Sequence, residues 1–302
     1  MTPSHHTPTI LVAGATGILG SEICRQLIQN NYVVKGLVRP TSDPGKISNL
    51  RALEVETVVG DLKEPASLKT VLEGISSVIS SVSSTLSRQE GDSIQTVDEE
   101  GQINLINAAI EAEVKHFVFI SVADLGDSPL QTAKKRVEKH LLVSGLNYTI
   151  LKPTNFMEVW LSPALGFNYA EANATIYGEG NKKVSWISLR DVASFAVAVL
   201  DNPVATDRIL DLGGPESLSP LEVVDLFSSI HGKLFELQFV SEEVLKSQIE
   251  AADDPLSEAF ASLMLGVARG NEIDMTTILD DFPLQLITVR DYAADVASRD
   301  LT

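Results

Sequence analysis

A chain of 302 residues with a formal net charge of −18, 44% hydrophobic and 21% charged residues, reads as a globular protein of one or two domains. The acidity sets nucleic acid aside, because phosphate binding needs a basic face and the densest basic run is Lys134-Lys135-Arg136. The single cysteine, Cys24, and five scattered histidines predict no internal disulfide and no metal site. No apolar run approaches the roughly 18–20 residues of a membrane span and no signal-peptide pattern opens the chain, so a soluble cytoplasmic protein is the expectation.

Thr9 to Ala13 is an apolar run of strand length that enters Gly14, Gly17 and Gly20, spaced G-x-x-G-x-x-G. An amphipathic helix over Ile18 to Gln29 follows, with Leu19, Ile23 and Leu27 on one face. Further strands are expected at Tyr32–Val38, Val55–Val59, Ser77–Val82, Phe117–Val122 and Tyr148–Lys152. Between them lie a turn-rich loop over Ser42–Ser48 and helices at Pro65–Leu72, Glu99–Ala112 and Thr132–Leu142, with a polar serine-rich surface loop at Ser83–Asp92. Short connections between alternating strands and helices predict an α/β fold, a doubly wound parallel sheet with helices on both faces.

Beyond Pro153 the rhythm breaks. Asn155–Gly180 is mixed, Val184–Ile187 and Ile209–Leu212 read as strands, Arg190–Leu200 and Ser219–Ile230 as helices, and Ser241–Asn271 as mostly helical. The expected organisation is a dinucleotide-binding domain over 7–154, with 183–213 returning to it. A smaller, mainly helical substrate lobe is expected from 155–182 and 214–302.

The strand–glycine–helix order suits a dinucleotide phosphate turn. Glycines permit the tight turn and the close approach of the pyrophosphate, and the helix presents unpaired N–H groups and its positive dipole end. Gly14, Thr16, Gly17, Ile18, Leu19 and Gly20 are therefore candidate cofactor residues. Arg39 ends the second strand, about 20 residues past the turn, where the adenosine ribose is met. A guanidinium there suits the 2′-phosphate of NADP, with Thr41 and Ser42 as hydroxyl donors; the alternative is a solvated strand-end charge. Asp61, before Leu62, can accept from an adenine amino group or close a turn. Small residues ending the fourth strand, among them Ser81 and Val82, let a cofactor lie flat against the backbone.

Several motifs together carry a family resemblance over nearly the whole chain: Gly14 to Gly20, Val38-Arg39-Pro40, Gly60-Asp61-Leu62, His116 to Ser121, and Ser144-Gly145-Leu146 with Tyr148 to Pro153. Phe156-Met157-Glu158, Arg190-Asp191-Val192-Ala193 and Leu212-Gly213-Gly214-Pro215 complete the set. The chain resembles the atypical short-chain dehydrogenase/reductases, most closely the NmrA-like group with its phenylcoumaran benzylic ether and isoflavone reductases. The resemblance implies NADP(H) as cofactor, with Ser121, Pro153, Asn155 and Phe156 near it. It also implies a catalytic role for Lys134, which would bind the nicotinamide ribose and help move a proton. Lys134 and Glu138 share a helix face, and the bland reading is a solvated i,i+4 pair. The tyrosine of the Tyr-x-x-x-Lys pattern is replaced by Leu130.

Asn155, Phe156, Met157 and Trp160, with Phe260, Leu263 and Met264, are candidate walls for an apolar, aromatic or quinone-type small-molecule substrate. The expected function is an NADPH-dependent reductase. The alternative is a non-catalytic NADP(H) redox sensor with a protein partner; a third option is a sugar-nucleotide epimerase or an assembly factor, and the missing tyrosine argues against the epimerase.

Overall fold

The computed structural model describes residues 8–86, 88–124 and 126–299. Strands β1 (Thr9–Ala13), β2 (Val33–Val38), β3 (Glu56–Val59), β4 (Ser77–Ser80), β5 (His116–Ile120) and β6 (Asn147–Pro153) join the strand Arg208–Leu212 in one seven-stranded sheet. Its order is β3-β2-β1-β4-β5-β6 and then Arg208–Leu212, and the pairings among β1 to β6 are parallel. The order reverses between β1 and β4, the switch point at which such sheets bind ligands beyond their carboxyl ends.

The strands are apolar because both faces of the sheet are covered. Leu11, Val78, Phe117, Phe119 and Ile150 are fully buried in one cluster with Leu68, Leu105 and Val137 of the flanking helices. Each such side chain contributes about 1.5–3 kcal/mol of transfer free energy. Helix α1 (Ile18–Gln29) buries Gly20, Ile23, Cys24 and Leu27. Cys24 is core, its thiol pushed up to about 12 by burial despite a backbone hydrogen bond.

Two local expectations are corrected. The supposed loop over Ser42–Ser48 is largely helix α2 (Pro44–Ala52), started by the Asp43 carboxylate accepting from Lys46 N at 2.9 Å and by Pro44 in the first turn. The helix expected from Glu99 begins earlier, as a π-helix over Ile94–Gly101, and continues as α4 (Gln102–Glu111). Ser93 caps it through a reciprocal pair of bonds with Thr96. Helices α3 (Pro65–Val71) and α5 (Pro129–Leu142) complete the layers.

The chain divides into two contact units. The first holds the residues up to Ser121, Ala133–Leu151 and Ala193–Leu210; the second holds Val122–Thr132, Lys152–Val192 and the residues from Asp211 onward. Residues 183–192 thus group with the second unit. That unit carries helices Pro220–His231, Glu242–Glu250, Pro255–Arg269 and Val289–Arg299. It also carries two three-stranded sheets that the sequence pattern does not reveal, because several of their strands are only two residues long. Phe167, Trp186, Val223 and Phe227 lie at its core. Among the described residues no helix is long and apolar enough to cross a membrane.

Candidate functional site

The glycine turn is a bare cradle. Gly14 has φ +84°, and a Cβ there would lie 2.8 Å from Ser81 Oγ. A Cβ on Gly20 would fall 2.1 Å from the Gly14 carbonyl oxygen, so helix α1 packs on the turn only with glycine at that position. Gly17 is the N-cap of α1, no side chain caps the helix, and no acidic residue occupies its first turn. A helix N-terminus in this state suits a pyrophosphate. The residues fit a dinucleotide at this point.

The turn opens into a groove within the first unit, lined by Gly14, Thr16, Gly17, Arg39, Ser42, Asp61, Leu62, Ser81 and Val82. Nine of the predicted cofactor residues therefore share one concavity, while Gly20 is buried beneath it and Ile18 is exposed. Ser81 Oγ donates to the Ala13 carbonyl at 3.2 Å, tying the ends of β4 and β1 together. The Asp61 carboxylate closes a turn by accepting from Lys63 N at 2.9 Å, so the turn reading of this residue holds even as it lines the groove. Ser42 Oγ accepts from Arg39 N at 2.9 Å, and the Thr41 hydroxyl donates to the Gln89 side-chain carbonyl.

Arg39 is not a solvated charge. Its Nη1 donates to Asp92 Oδ2 at 2.6 Å, and Lys63 Nζ donates to Asp92 Oδ1 at 2.6 Å. Asp92, Lys63 and Gln89 were not among the predicted site residues, because the loop that carries two of them reads as plain polar surface.

Lys134 is buried, 4% exposed, and its partner is not Glu138. Its Nζ lies 3.5 Å from Asp98 Oδ1, 3.4 Å from the Val82 carbonyl and 5.0 Å from the centre of the Phe119 ring. Glu138 instead accepts from the Ser121 hydroxyl. The solvated-pair reading of Lys134 fails because α5 turns this face onto the ends of β4 and β5. Asp98, on the π-helix, is fully buried, and its Oδ2 accepts from Ser84 N at 3.0 Å and Ser84 Oγ at 2.6 Å. Gln102 steadies the same strand end: it accepts from Ser80 Oγ at 2.7 Å and donates to the Val82 carbonyl at 3.0 Å. Asp98 was legible in principle, since Ile94, Val97, Asp98 and Gly101 form one helical stripe and a carboxylate on an apolar stripe must be paired.

Pro153, Asn155 and Phe156 lie in the second unit. Asn155 is 2% exposed and its side-chain nitrogen has no hydrogen-bond partner, while Phe156 is half-buried. Met157 is fully buried core. Trp160 meets Tyr177 edge-on with ring centres 6.4 Å apart, and both line a small cavity with Phe167 and Trp186. Leu130, four residues before Lys134, is buried.

The chain is similar to known proteins along most of its length. It is 33% identical to the NAD(P)H azoreductase of Xenophilus azovorans over 83% of this chain and 86% of the relative. It is 31% identical to the photosystem II assembly factor Ycf39 of Synechocystis over 78% of this chain and 72% of that protein. The crystal structure of the Escherichia coli quinone oxidoreductase QOR2 complexed with NADPH shares the fold, with a TM-score of 0.77 at 22% identity, covering 97% of this chain and all of that one. The family model for the NmrA-like family matches residues 6–289, and the chain belongs to that family.

Proposed function

We propose that the chain is an NADP(H)-dependent reductase of small apolar, aromatic or quinone-type compounds. The observation that carries this reading is the first unit's groove, lined by a bare glycine turn and by a paired arginine just past β2, with the buried Lys134 of α5 lying 3.4 Å from the carbonyl of Val82, one of the lining residues. Gly14, Gly17 and the N-terminus of α1 would hold the pyrophosphate, Arg39 and Ser42 the 2′-phosphate, and Asp61 and Leu62 the adenine. Ser81, Val82 and Lys134 would hold the nicotinamide ribose. When bound, the cofactor supplies the hydride.

Lys134 has three N–H donors and two long-range acceptors, Asp98 and the Val82 carbonyl. The ammonium is thus aimed but not saturated, and a ligand hydroxyl or carbonyl oxygen can take a proton-bearing donor from it. Asp98 and Ser84 fix its direction, and the burial of the site excludes water. No tyrosine is needed for this step, which suits Leu130. The azoreductase relative supports a reductase. A panel of quinones, azo dyes and phenolic ethers, followed by NADPH oxidation, tests the reading: turnover must be found, and Lys134→Met must abolish it while NADPH still binds.

The Ycf39 relatives favour a second reading, an NADP(H)-responsive protein that acts through a protein partner. In that case no compound in the panel is reduced, and adding NADPH changes which protein is bound.

A further inference from the structure

Asp92 is unusual for a loop carboxylate. Its side chain is 1% exposed, and it accepts from Arg39 Nη1 and Lys63 Nζ at 2.6 Å each and from Gln89 N at 2.9 Å. Gln89 adds a second tie, donating from Nε2 to the Thr41 carbonyl at 2.9 Å while the Thr41 hydroxyl donates to its Oε1. The stretch from Gln89 to Asp92 is thereby latched onto the turn that follows β2. Burial raises the carboxyl of Asp92, but the bonds from Lys63 and Arg39 outweigh it and hold the group below the usual carboxylate range. The position already contains an anion, made by the chain itself, at Arg39, the cation that the sequence assigns to the ribose end of the groove, and at Lys63 beside it.

We infer that Asp92 is an internal surrogate for the 2′-phosphate, competing with it for Arg39 and Lys63 and so setting the margin between NADP(H) and NAD(H). The inference rests on the proposed placement of NADP(H) in this groove. The two cations and Asp92 sum to one positive charge, whereas a 2′-phosphate brings about −1.5 to −2. A cofactor without that phosphate leaves the ion trio intact. A cofactor with it must draw Arg39 or Lys63 away from Asp92 and meet the repulsion of a carboxylate close by, a cost borne by the phosphate-bearing cofactor alone. Arg39 gives the preference for NADP(H), and Asp92 limits it.

Titration of the whole protein with 2′,5′-ADP and with 5′-AMP isolates the competition from any chemistry. Asp92→Asn keeps an oxygen for the Gln89 N–H and removes the charge. It should tighten 2′,5′-ADP by about ten-fold and leave 5′-AMP unchanged. Unchanged or weaker binding of 2′,5′-ADP would overturn the inference, the latter by showing that Asp92 aims Arg39 at the phosphate. A measurement on the wild-type protein stands beside it in case the variant does not fold. Amide exchange over Gln89–Asp92 should accelerate with 2′,5′-ADP and not with 5′-AMP, and protection by 2′,5′-ADP would contradict the competition. Absence of binding by either nucleotide to the wild type and the variant would overturn the cofactor placement itself, and the inference with it.

Discussion

Lys134 and Asp98 form the most consequential side-chain pair in the first unit, since both are buried and neither has another full charge within an ion-pair distance among the described residues. Breaking a buried pair by removing one partner costs about 3–5 kcal/mol, because the survivor is left uncompensated. Asp98→Asn, which still accepts from Ser84, is expected to lose about that much in denaturant unfolding. Lys134→Met combined with Asp98→Asn should recover most of it; an additive double mutant would show that the pair is not coupled. Asp191 in the second unit behaves differently. Burial pushes its carboxyl up to about 7, with the Glu158 carboxylate adding to the rise and the Ile287 N–H opposing it. The folded value lies above the unfolded value of about 3.9. Its stabilising contribution is therefore complete below about pH 4 and lost as the pH rises through about 7. Asp191→Asn keeps an acceptor for Ile287 and removes the titration, so it should melt above the wild type at pH 8, with the gap narrowing at pH 5. An equal gap at both pH values would exclude Asp191 as the source. Of these residues only Lys134 was singled out from the sequence for a role. The apolar stripe that carries Asp98 signals a paired carboxylate, but a helix pattern does not state which strand end, and so which partner, the stripe will face.

At the scale of elements, the turn between β1 and α1 leaves no room for side chains. Gly20→Ala places a methyl group against the Gly14 carbonyl and forces the turn and α1 apart. The expected outcome is loss of NADPH binding together with about 1–3 kcal/mol of stability, read by titration and by unfolding. Retention of full affinity would mean that the helix N-terminus is not the phosphate site. In the second unit, the helix Pro220–His231 begins with a reciprocal cap between Ser219 and Glu222. Ser219→Ala should cost about 1 kcal/mol in unfolding, without effect on nucleotide binding. Elements with a regular period and clear ends were legible: β1, α1 and the helix that starts at Ser219 all announce themselves. The π-helix over Ile94–Gly101 was not, because its wider turn has no composition of its own. The two-residue strands at Asn155–Phe156 and Phe167–Asn168 are fixed by their pairing partners rather than by local propensity.

For the whole molecule, alternation of strand and helix was enough to give the sheet and its parallel strands, because right-handed crossovers leave few alternatives, while the strand order and its switch point between β1 and β4 came with the structure. The glycines then marked the turn proposed for the phosphates, and Arg39 the end proposed for the ribose. What remained hidden was the chain's own anion at that end, since no pattern in a polar loop reveals that Asp92 folds back onto Arg39 and Lys63. The account depends most on Arg39 acting as the receptor of a 2′-phosphate. Titration of the wild type and Arg39→Ala with NADPH and NADH tests this directly. The wild type should bind NADPH about ten-fold or more tightly than NADH, and Arg39→Ala should erase or reverse that gap, because Asp92 then remains without its guanidinium partner. Equal affinities in the wild type, or a gap that survives the substitution, would contradict it.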